Sequence, residues 1–488
     1  MLLLLTMGCS LTRYDFQECT EPVECRAAFG FGHTCGEEGY CAVVEPPERC
    51  KTTVPSDLFA RPGDYSEVVL LGSLYDHESD QAELAAVQLP FMQVNESGGL
   101  DADRPFGLIS CDYQESDDYG DGMTSDEAAV AMAEWMISEL GVRVILGPAS
   151  SSKVEAVYKA TQDDKPLIIS SNATSPALTD LDGTDKSDES PGTVWRTAPS
   201  DVFQGRIIGL DLNGRGLSKV GVIYADDSYG ASLKEVTLAT YTGAAVELPF
   251  TTTTGLTEAV VDALADPEIE ELLFLSSDIS EIIVFLEAMA FADNLGDREI
   301  FLADGASDQQ LFSQAKPEVK AILDRVRGTR PQVPSGAVFE SFKSAYNSTF
   351  ESNVDDSVFT AYAYDAAWLG IYGTTWALAN GDESTGAAAA AGLRQLSSGD
   401  AVEIRPSTWE TAKVNLSTGQ SFDVVGASGA LDFDPDTEEA DSNIEVWAIN
   451  PAGTDFIICQ TFGWTDTGNP KPLGTPNPAC TADTEVTE

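Results

Sequence analysis

Basic side chains are scarce in this 488-residue sequence, which has 27 Lys and Arg against 80 Asp and Glu and a formal net charge of −53. Nucleic-acid phosphates and anionic lipid surfaces are bound by clustered Lys and Arg, so the composition excludes nucleic acid as a partner. The acid excess is spread along the chain and indicates a solvated surface. We hypothesise that this surface is adapted to high salt, which screens the repulsion between like charges.

Motifs that support catalysis are also missing. His33 and His77 are the only histidines, and neither stands beside a nucleophile motif. No G-x-S-x-G occurs, and the serines after Gly147 lack the second glycine of a phosphate-binding loop. The sequence therefore predicts a protein that is not an enzyme, needs no cofactor and holds no metal.

Long apolar runs are absent, since no segment after the N-terminus reaches the roughly 18 apolar residues that span a membrane. The N-terminus has a short run at Leu2–Leu5 that leads through Gly8 to Cys9. It resembles a bacterial lipobox, so we predict a lipoprotein-like signal at 1–9 and a lipid on Cys9. The alternative is an ordinary secretory signal. Either reading predicts export to the periplasm or cell surface, with membrane anchoring through lipid in the first case.

The nine cysteines indicate an oxidising compartment. Without Cys9 eight remain, an even number, and five of them crowd before residue 55. We predict a disulfide-stapled module at residues 10–55. A zinc site is the alternative, because His33 is close to Cys35, but the C-x5-C-x9-C-x5-C spacing lacks the tight cysteine pairs of zinc ribbons. The expected disulfide cysteines are Cys19, Cys25, Cys35 and Cys41 within the module, Cys459 with Cys480, and Cys50 with Cys111 as the leftover pair.

Two apolar strands near the middle of the first half each lead into a loop of small hydroxyl residues. Val142–Leu146 is followed by serines 150–152, and Leu167–Ile169 by the loop 170–174. The helix between them has a capping-box spacing at Ser152 and Glu155, as do Asp80 and Glu83, and Thr124 and Glu127, at other helix starts. Parallel strands bring both loops to one sheet edge, where free N–H groups suit a carboxylate. The alternative is that these serines only cap a helix.

The same plan of strand, polar loop and capped helix continues after residue 218. Strands are expected at KVGVIYA (219–225), 245–250, 272–275 and 299–303. The sequence therefore predicts an α/β protein with two similar lobes that face each other across a hinged cleft.

From about residue 66 to 450, the chain resembles the type I periplasmic binding proteins, in particular the branched-chain amino-acid receptors that serve ABC transporters. The order and spacing of several short motifs carry this resemblance. They are Asn95–Gly99, Asp112, Gly147-Pro148, Ile169–Thr174, Trp195–Asp201, Tyr229-Gly230, Tyr362–Asp365 and Leu431–Asp434.

The resemblance implies two Rossmann-like lobes joined by crossovers near residues 196, 330 and 400, and closure around a small ligand. The implied units are lobe 1 (66–195 and 330–400), lobe 2 (196–329 and 401–458) and an irregular tail (459–488). The implied function is capture of a small polar ligand, an amino acid or related carboxylate, for an ABC permease. A ligand-sensing or adhesion protein with the same fold is the alternative.

Carried over by position, Ser151 corresponds to the family serine that binds a ligand carboxylate. Asn172 and Thr174 correspond to the residues that contact the same ligand through backbone and hydroxyl groups.

The other expected contacts come from both lobes. Tyr229 corresponds to an aromatic that covers the ligand from lobe 2. Asp304 follows a strand where an acid could pair with an ammonium group, and Tyr75 stands in the first loop of the cleft.

Overall fold

The computed structural model describes residues 17–381, 385–465 and 468–480 and shows two α/β lobes with a small N-terminal module. The predicted signal and Cys9 lie outside these residues. Within the described ranges, no helix combines the length and the apolar character required to cross a bilayer.

The N-terminal module is a short helix packed on a two-stranded ribbon. Its pieces are α1 (Pro22–Phe29), β1 (His33–Cys35) and β2 (Cys41–Val43). Disulfides Cys19–Cys35 and Cys25–Cys41 close it, which confirms the predicted stapling and leaves these thiols no role as zinc ligands. The third predicted bridge, Cys50–Cys111, is also present and ties the module to lobe 1.

Lobe 1 is built on a six-stranded sheet of order β3-β5-β4-β6-β7-β8, in which only β3 is antiparallel to its neighbour. Its central strands are buried along almost their whole length because helices cover both faces of a parallel sheet. The elements of this first passage are β3 (Thr52–Val54), β4 (Val69–Tyr75), α2 (Gln81–Glu96), β5 (Phe106–Asp112), α3 (Ser125–Leu140), β6 (Val144–Leu146), α4 (Ser151–Thr161), β7 (Leu167–Ser170) and β8 (Val194–Arg196).

Lobe 2 repeats the pattern with five parallel strands. Its elements are α5 (Asp201–Gly214), β9 (Lys219–Ala225), α6 (Ser228–Thr240), β10 (Ala244–Phe250), α7 (Thr253–Ala265), β11 (Glu271–Leu275), α8 (Ile279–Ala290), β12 (Glu299–Leu302), α9 (Gln310–Gln314), α10 (Pro317–Lys320) and β13 (Val326–Pro331). The strand order is β10-β9-β11-β12-β13.

The chain then returns to lobe 1 and finally completes the sheet of lobe 2. The returning elements are α11 (Ala337–Thr349), α12 (Thr360–Asn380), α13 (Gly386–Leu393), β14 (Ala401–Glu403), α14 (Trp409–Ser417) and β15 (Asp423–Val425). Three antiparallel strands then follow β13 in the sheet: β16 (Ile444–Ile449), β17 (Phe456–Trp464) and β18 (Pro470–Leu473).

The third crossover lies later than predicted. Trp409 is fully buried in the core of lobe 1, where it stacks parallel to Tyr372 and donates a 3.0 Å hydrogen bond to the Gly99 carbonyl. Residues 401–440 therefore pack with lobe 1, and the chain crosses to lobe 2 just before β16. The prediction near residue 400 was wrong because the β14–α14–β15 unit packs on α12, a contact that has no local signature.

The tail was predicted to be irregular from residue 459, and this was also wrong. Strands β17 and β18 continue through that region and extend the sheet of lobe 2. The predicted Cys459–Cys480 disulfide is present and fixes the end of the described chain to β17.

Of the capping boxes predicted for α2, α3 and α4, only that of α3 is formed. Thr124 and Glu127 form the expected reciprocal pair at α3. Helix α4 begins at Ser151, with Ser150 in the N-cap position, so Ser152 lies inside the helix and does not cap it. At α2, Asp80 makes no capping bond, and the carboxylate of Glu83 is used elsewhere, as described below.

Candidate functional site

The loops that follow the strands of the two lobes meet in the cleft between them. In lobe 1 these are the loops after β4, β6 and β7, and in lobe 2 those after β9 and β12. Each loop leads into a helix or a helical turn, so polar backbone and side-chain groups converge at the carboxyl edges of both sheets.

Ser151 is the first residue of α4 and is 1 % exposed. Its Oγ accepts a 3.2 Å hydrogen bond from the backbone N–H of Ser175. The N–H of Thr174 makes no hydrogen bond to any residue that the structure describes. An uncommitted N–H beside a helix N-terminus provides donors and a positive field for an anionic group.

The loop that contains Thr174 is fixed by hydrogen bonds to residues outside the cleft. Ser170 Oγ donates a 2.6 Å hydrogen bond to the Pro148 carbonyl and accepts from the N–H of Ala173. The buried Arg196 in the first crossover donates to the Ser175 carbonyl at 2.7 Å. These contacts come from three separate segments, so the geometry of this loop depends on the complete fold of lobe 1.

Tyr75 was predicted to lie in the first loop of the cleft. It is instead the last residue of β4 and is fully buried, and its hydroxyl lies 3.0 Å from Ser171 Oγ. Burial raises its pKa well above that of a free tyrosine. In this structure Tyr75 supports the hydroxyl loop from below.

Two buried carboxylates stand opposite the Thr174 loop. Asp201, the first residue of α5, accepts a 2.8 Å hydrogen bond from Thr174 Oγ1, and its own N–H donates to the Thr174 carbonyl at 2.8 Å. Asp304 follows β12 and accepts hydrogen bonds from the Tyr229 hydroxyl and, at 2.9 Å, from Gln204 Nε2. Neutral groups supply the hydrogen bonds to both acids.

Burial raises the pKa of both acids above that of an ordinary aspartate, and the negative charge of Asp304 raises that of Asp201 further. Two buried acids that repel each other form a site in which a cationic group is strongly favoured. The pKa of Tyr229 is raised by burial and then by the charge of Asp304, so Tyr229 remains a hydrogen-bond donor.

Glu83 is a third buried carboxylate of the cleft, 4 % exposed, and its position explains the missing capping box. Its Oε1 accepts hydrogen bonds from Asn172 Nδ2 at 3.3 Å and from the Ser357 hydroxyl. Asn172 is partly buried and also accepts from Ser171 Oγ. Asn172 is thus oriented by Glu83, and both line the side of the cleft next to the hydroxyl loop.

The lobes are in contact on either side of this site. Ser175 Oγ donates to the Ser228 carbonyl at 2.7 Å and lies 2.8 Å from Ser232 Oγ. At the other side, Gln310 Nε2 of lobe 2 donates a 3.0 Å hydrogen bond to the Ser79 carbonyl of lobe 1. The structure therefore represents a closed arrangement of the lobes.

The structure joins four of the six predicted contact residues in one region, with Ser151 and Thr174 on the lobe 1 side and Tyr229 and Asp304 on the lobe 2 side. Asn172 lies beside them, and Tyr75 lies beneath. Four further residues of the site were not predicted from the sequence: Asp201, Glu83, Gln204 and Ser175. Asp201 had a usable signal, because it opens a helix directly after the first crossover, whereas Glu83 was hidden by its apparent role as a helix cap.

Two Rossmann-like lobes, joined by three crossovers and closed over a polar site at their facing sheet edges, define a hinged ligand-binding protein. Residues 71–417 match the family model described as periplasmic binding protein, and the chain belongs to this family. Membership implies a location outside the cytoplasm. The family and its structural neighbours are solute-binding proteins and not enzymes.

Solved structures share the fold at low sequence identity. The branched-chain amino-acid substrate-binding protein LivJ of Streptococcus pneumoniae, in complex with isoleucine, is 18 % identical with a TM-score of 0.55, covering 80 % of this chain and 99 % of its own. The leucine-binding protein LivK of Thermotoga maritima is 14 % identical with a TM-score of 0.58, covering 80 % and 98 %. A 4-hydroxybenzoate-bound solute-binding protein of R. palustris is 13 % identical with a TM-score of 0.60, covering 86 % and 100 %.

A curated relative matches only part of the chain. It is an uncharacterized protein of Methanocaldococcus jannaschii, 34 % identical over 98 residues, which are 20 % of this chain and 23 % of that protein. The match therefore spans less than a quarter of the relative's length.

Proposed function

We propose that the cleft binds an amino acid through both of its charged groups. The observation that carries this proposal is the hydrogen bond from Thr174 Oγ1 to Asp201 at 2.8 Å. This hydrogen bond joins the hydroxyl loop, whose free N–H suits an anion, to a pair of buried carboxylates that suit a cation. An amino-acid zwitterion has these two groups on a single carbon atom, and it matches both halves of the site.

The ligand carboxylate is assigned to the lobe 1 side. The N-terminus of α4 at Ser151 and the N–H of Thr174 supply the donors. Charge-assisted hydrogen bonds of this kind contribute about 1.5–3 kcal/mol each.

The ligand ammonium is assigned to Asp201 and Asp304. Its charge relieves the repulsion between the two acids, and Tyr229 covers the ligand from lobe 2. Because the acids lie in lobe 2 and the carboxylate donors in lobe 1, a zwitterion bridges the lobes and stabilises the closed arrangement over the open one.

The ligand side chain is assigned to the region of Glu83 and Asn172. A buried carboxylate and an amide favour a side chain that donates hydrogen bonds or carries positive charge, and they disfavour a branched aliphatic one. This supports a more polar ligand than leucine or isoleucine.

We further propose that the protein delivers this ligand to an ABC permease as an exported lipoprotein anchored through Cys9. The lipobox-like N-terminus and the eight disulfide-bonded cysteines support the address. Labelling cells with a radioactive fatty acid tests the anchor: we expect label on the wild type and none on Cys9→Ser, and label that persists in the variant would contradict it.

Calorimetric titration of the purified protein with a panel of amino acids tests the site. Ser151→Ala removes the acceptor that positions the Ser175 N–H, and Thr174→Ala removes the hydroxyl that holds the loop against Asp201, so both variants disturb the loop that presents the carboxylate donors. We expect each to weaken the binding of the best ligand by about tenfold or more. Ser152→Ala is the matched control on the same helix and should bind like the wild type. Unchanged affinity in both test variants would contradict the assignment of the ligand carboxylate to this loop.

A further inference from the structure

A cavity of about 260 Å³ lies at the hinge, and it is separate from the cleft described above. All three crossovers line it: Thr197 from the first, residues 332–335 from the second and residues 440–443 from the third. Tyr362 of α12 and the loop 428–431 of lobe 1 complete its wall. None of the cleft residues Ser151, Thr174, Tyr229 and Asp304 is among the lining residues. Its volume is near the lower end of that of small-molecule sites.

The wall of this hinge cavity is held in place by its own hydrogen bonds. Thr197 Oγ1 donates to the Tyr362 carbonyl at 2.9 Å. Asn443 Nδ2 donates to Gln332 Oε1 at 2.7 Å and so links the second crossover to the third. The Tyr362 hydroxyl lies 3.3 Å from Ser442 Oγ. The polar groups are therefore pre-organised, which lowers the entropic cost of binding a ligand.

The chemistry of the lining selects the class of ligand. No Lys or Arg is present among the lining residues, so an anion is disfavoured. Asp441 is an exposed residue of the lining, and its carboxylate makes no hydrogen bond or ion pair with any residue in the described ranges. Partial desolvation and then the charges of Asp434 and Glu439 raise its pKa, so a cation bound beside it relieves a repulsion between like charges. Hydroxyl and amide groups surround it, and Val333, Pro334 and Leu431 give apolar walls.

We propose that the hinge cavity is a second small-molecule site that takes a small polyhydroxylated amine, with its ammonium at Asp441 and its hydroxyls on the surrounding hydroxyl and amide groups. Every crossover contributes to the wall, so the shape of the cavity depends on the angle between the lobes. Occupancy of the hinge cavity and occupancy of the cleft are therefore thermodynamically coupled, and each ligand changes the affinity of the other by the same factor.

Glucosamine and glucose form a matched pair of probes, because they differ in the single amine. The full chain is titrated calorimetrically with each sugar at a fixed salt concentration. We expect saturable binding of glucosamine at one site, about tenfold or more tighter than that of glucose. Absence of saturable glucosamine binding, or equal affinity for the two sugars, would overturn the proposal.

Two substitutions of equal charge separate the cavity from general attraction of cations to an acidic protein. Asp441→Asn should weaken glucosamine binding by about tenfold or more. Asp436→Asn removes an exposed acid of the same loop that does not line the cavity and should change the affinity less than about twofold. Equal losses in the two variants, or no loss in Asp441→Asn, would refute the assignment.

A third variant and a competition experiment complete the test. Ser335→Tyr fills the cavity from an exposed lining position and should abolish glucosamine binding, with circular dichroism as the check on folding. Glucosamine should also shift the affinity of an amino acid for the cleft without displacing it. Simple displacement of the amino acid at a stoichiometry of one would place glucosamine in the cleft and contradict the proposal. A protein that binds glucosamine but no amino acid would contradict only the proposed function of the cleft.

Discussion

Asp304→Asn is expected to weaken ligand binding without lowering the unfolding free energy below that of the wild type. The amide keeps an oxygen that accepts the hydrogen bonds from Tyr229 and Gln204 Nε2. It removes the charge that would hold the ligand ammonium. A charge-assisted hydrogen bond contributes about 1.5–3 kcal/mol, so the dissociation constant of the amino acid should rise by about 10- to 150-fold.

The expected effect on stability follows from the raised pKa of Asp304 and Asp201. A carboxyl whose pKa is higher in the folded state binds more protons there than in the unfolded chain. The unfolding free energy therefore falls as pH rises from the ordinary carboxyl range, about 4, through the raised folded pKa. Asparagine does not ionise, so it removes the part of this decrease in unfolding free energy that one acid causes. The unliganded variant should therefore be no less stable than the wild type at neutral pH.

The same pKa direction predicts the pH dependence of binding. A protonated carboxyl offers no charge to an ammonium group, so wild-type affinity should decrease as pH falls, and the decrease should begin above the ordinary range of an aspartate. The slope should be smaller in Asp304→Asn. Calorimetry at several pH values and thermal unfolding without ligand measure both quantities, with the exposed Asp297→Asn as the control. Wild-type affinity in Asp304→Asn, or a variant that is clearly destabilised, would refute the reasoning.

Three further predictions concern specificity, the disulfide framework and salt. Glu83→Gln keeps an acceptor for Asn172 but loses its charge, so calorimetry should show about tenfold weaker binding of ornithine and little change for serine; an equal loss for both would contradict the assigned side-chain region. Replacement of both Cys50 and Cys111 by alanine opens a 61-residue loop and should lower the unfolding free energy by about 4 kcal/mol in urea titrations, whereas an unchanged midpoint would show that the bridge stabilises little. The unfolding midpoint should rise with added NaCl, because screening relieves repulsion in a chain of net charge −53, and a flat or falling dependence would contradict the salt hypothesis.

The scarce basic residues show how tertiary structure changes the meaning of composition. Lys186 has a side chain only 4 % exposed and pairs with Asp182, whose side chain is 2 % exposed. Arg394 pairs with the buried Glu438, and the buried Arg196 pairs with Glu439. These ion pairs hold the segment 179–193 and the loop 434–440 against each other and against the rest of lobe 1. The turn-rich, acidic composition of 179–193 gives no sign of these pairings.

The alternation of apolar strands, polar loops and helices was sufficient to predict the two α/β lobes and the carboxyl-edge position of Ser151 and Thr174. Both follow from local patterns, since residues close together in the sequence determine where a strand ends and a helix begins. The disulfide Cys50–Cys111 could also be predicted, by counting cysteines in an oxidised protein. The packing of Trp409 on lobe 1 could not, because it depends on partners more than 300 positions earlier and has no local periodicity.

The amino-acid sequence by itself determined the class of fold, the oxidising compartment and the position of the hydroxyl loop at the carboxyl edge of the sheet. Only the tertiary structure decided that Asp201 and Asp304 share one buried space, that Glu83 serves Asn172 instead of capping a helix, and that three crossovers enclose a second cavity. The physical reason is that a charge or hydrogen bond acts over a few ångströms in space. The groups it joins here are separated by tens to hundreds of residues along the chain, and only folding brings them together.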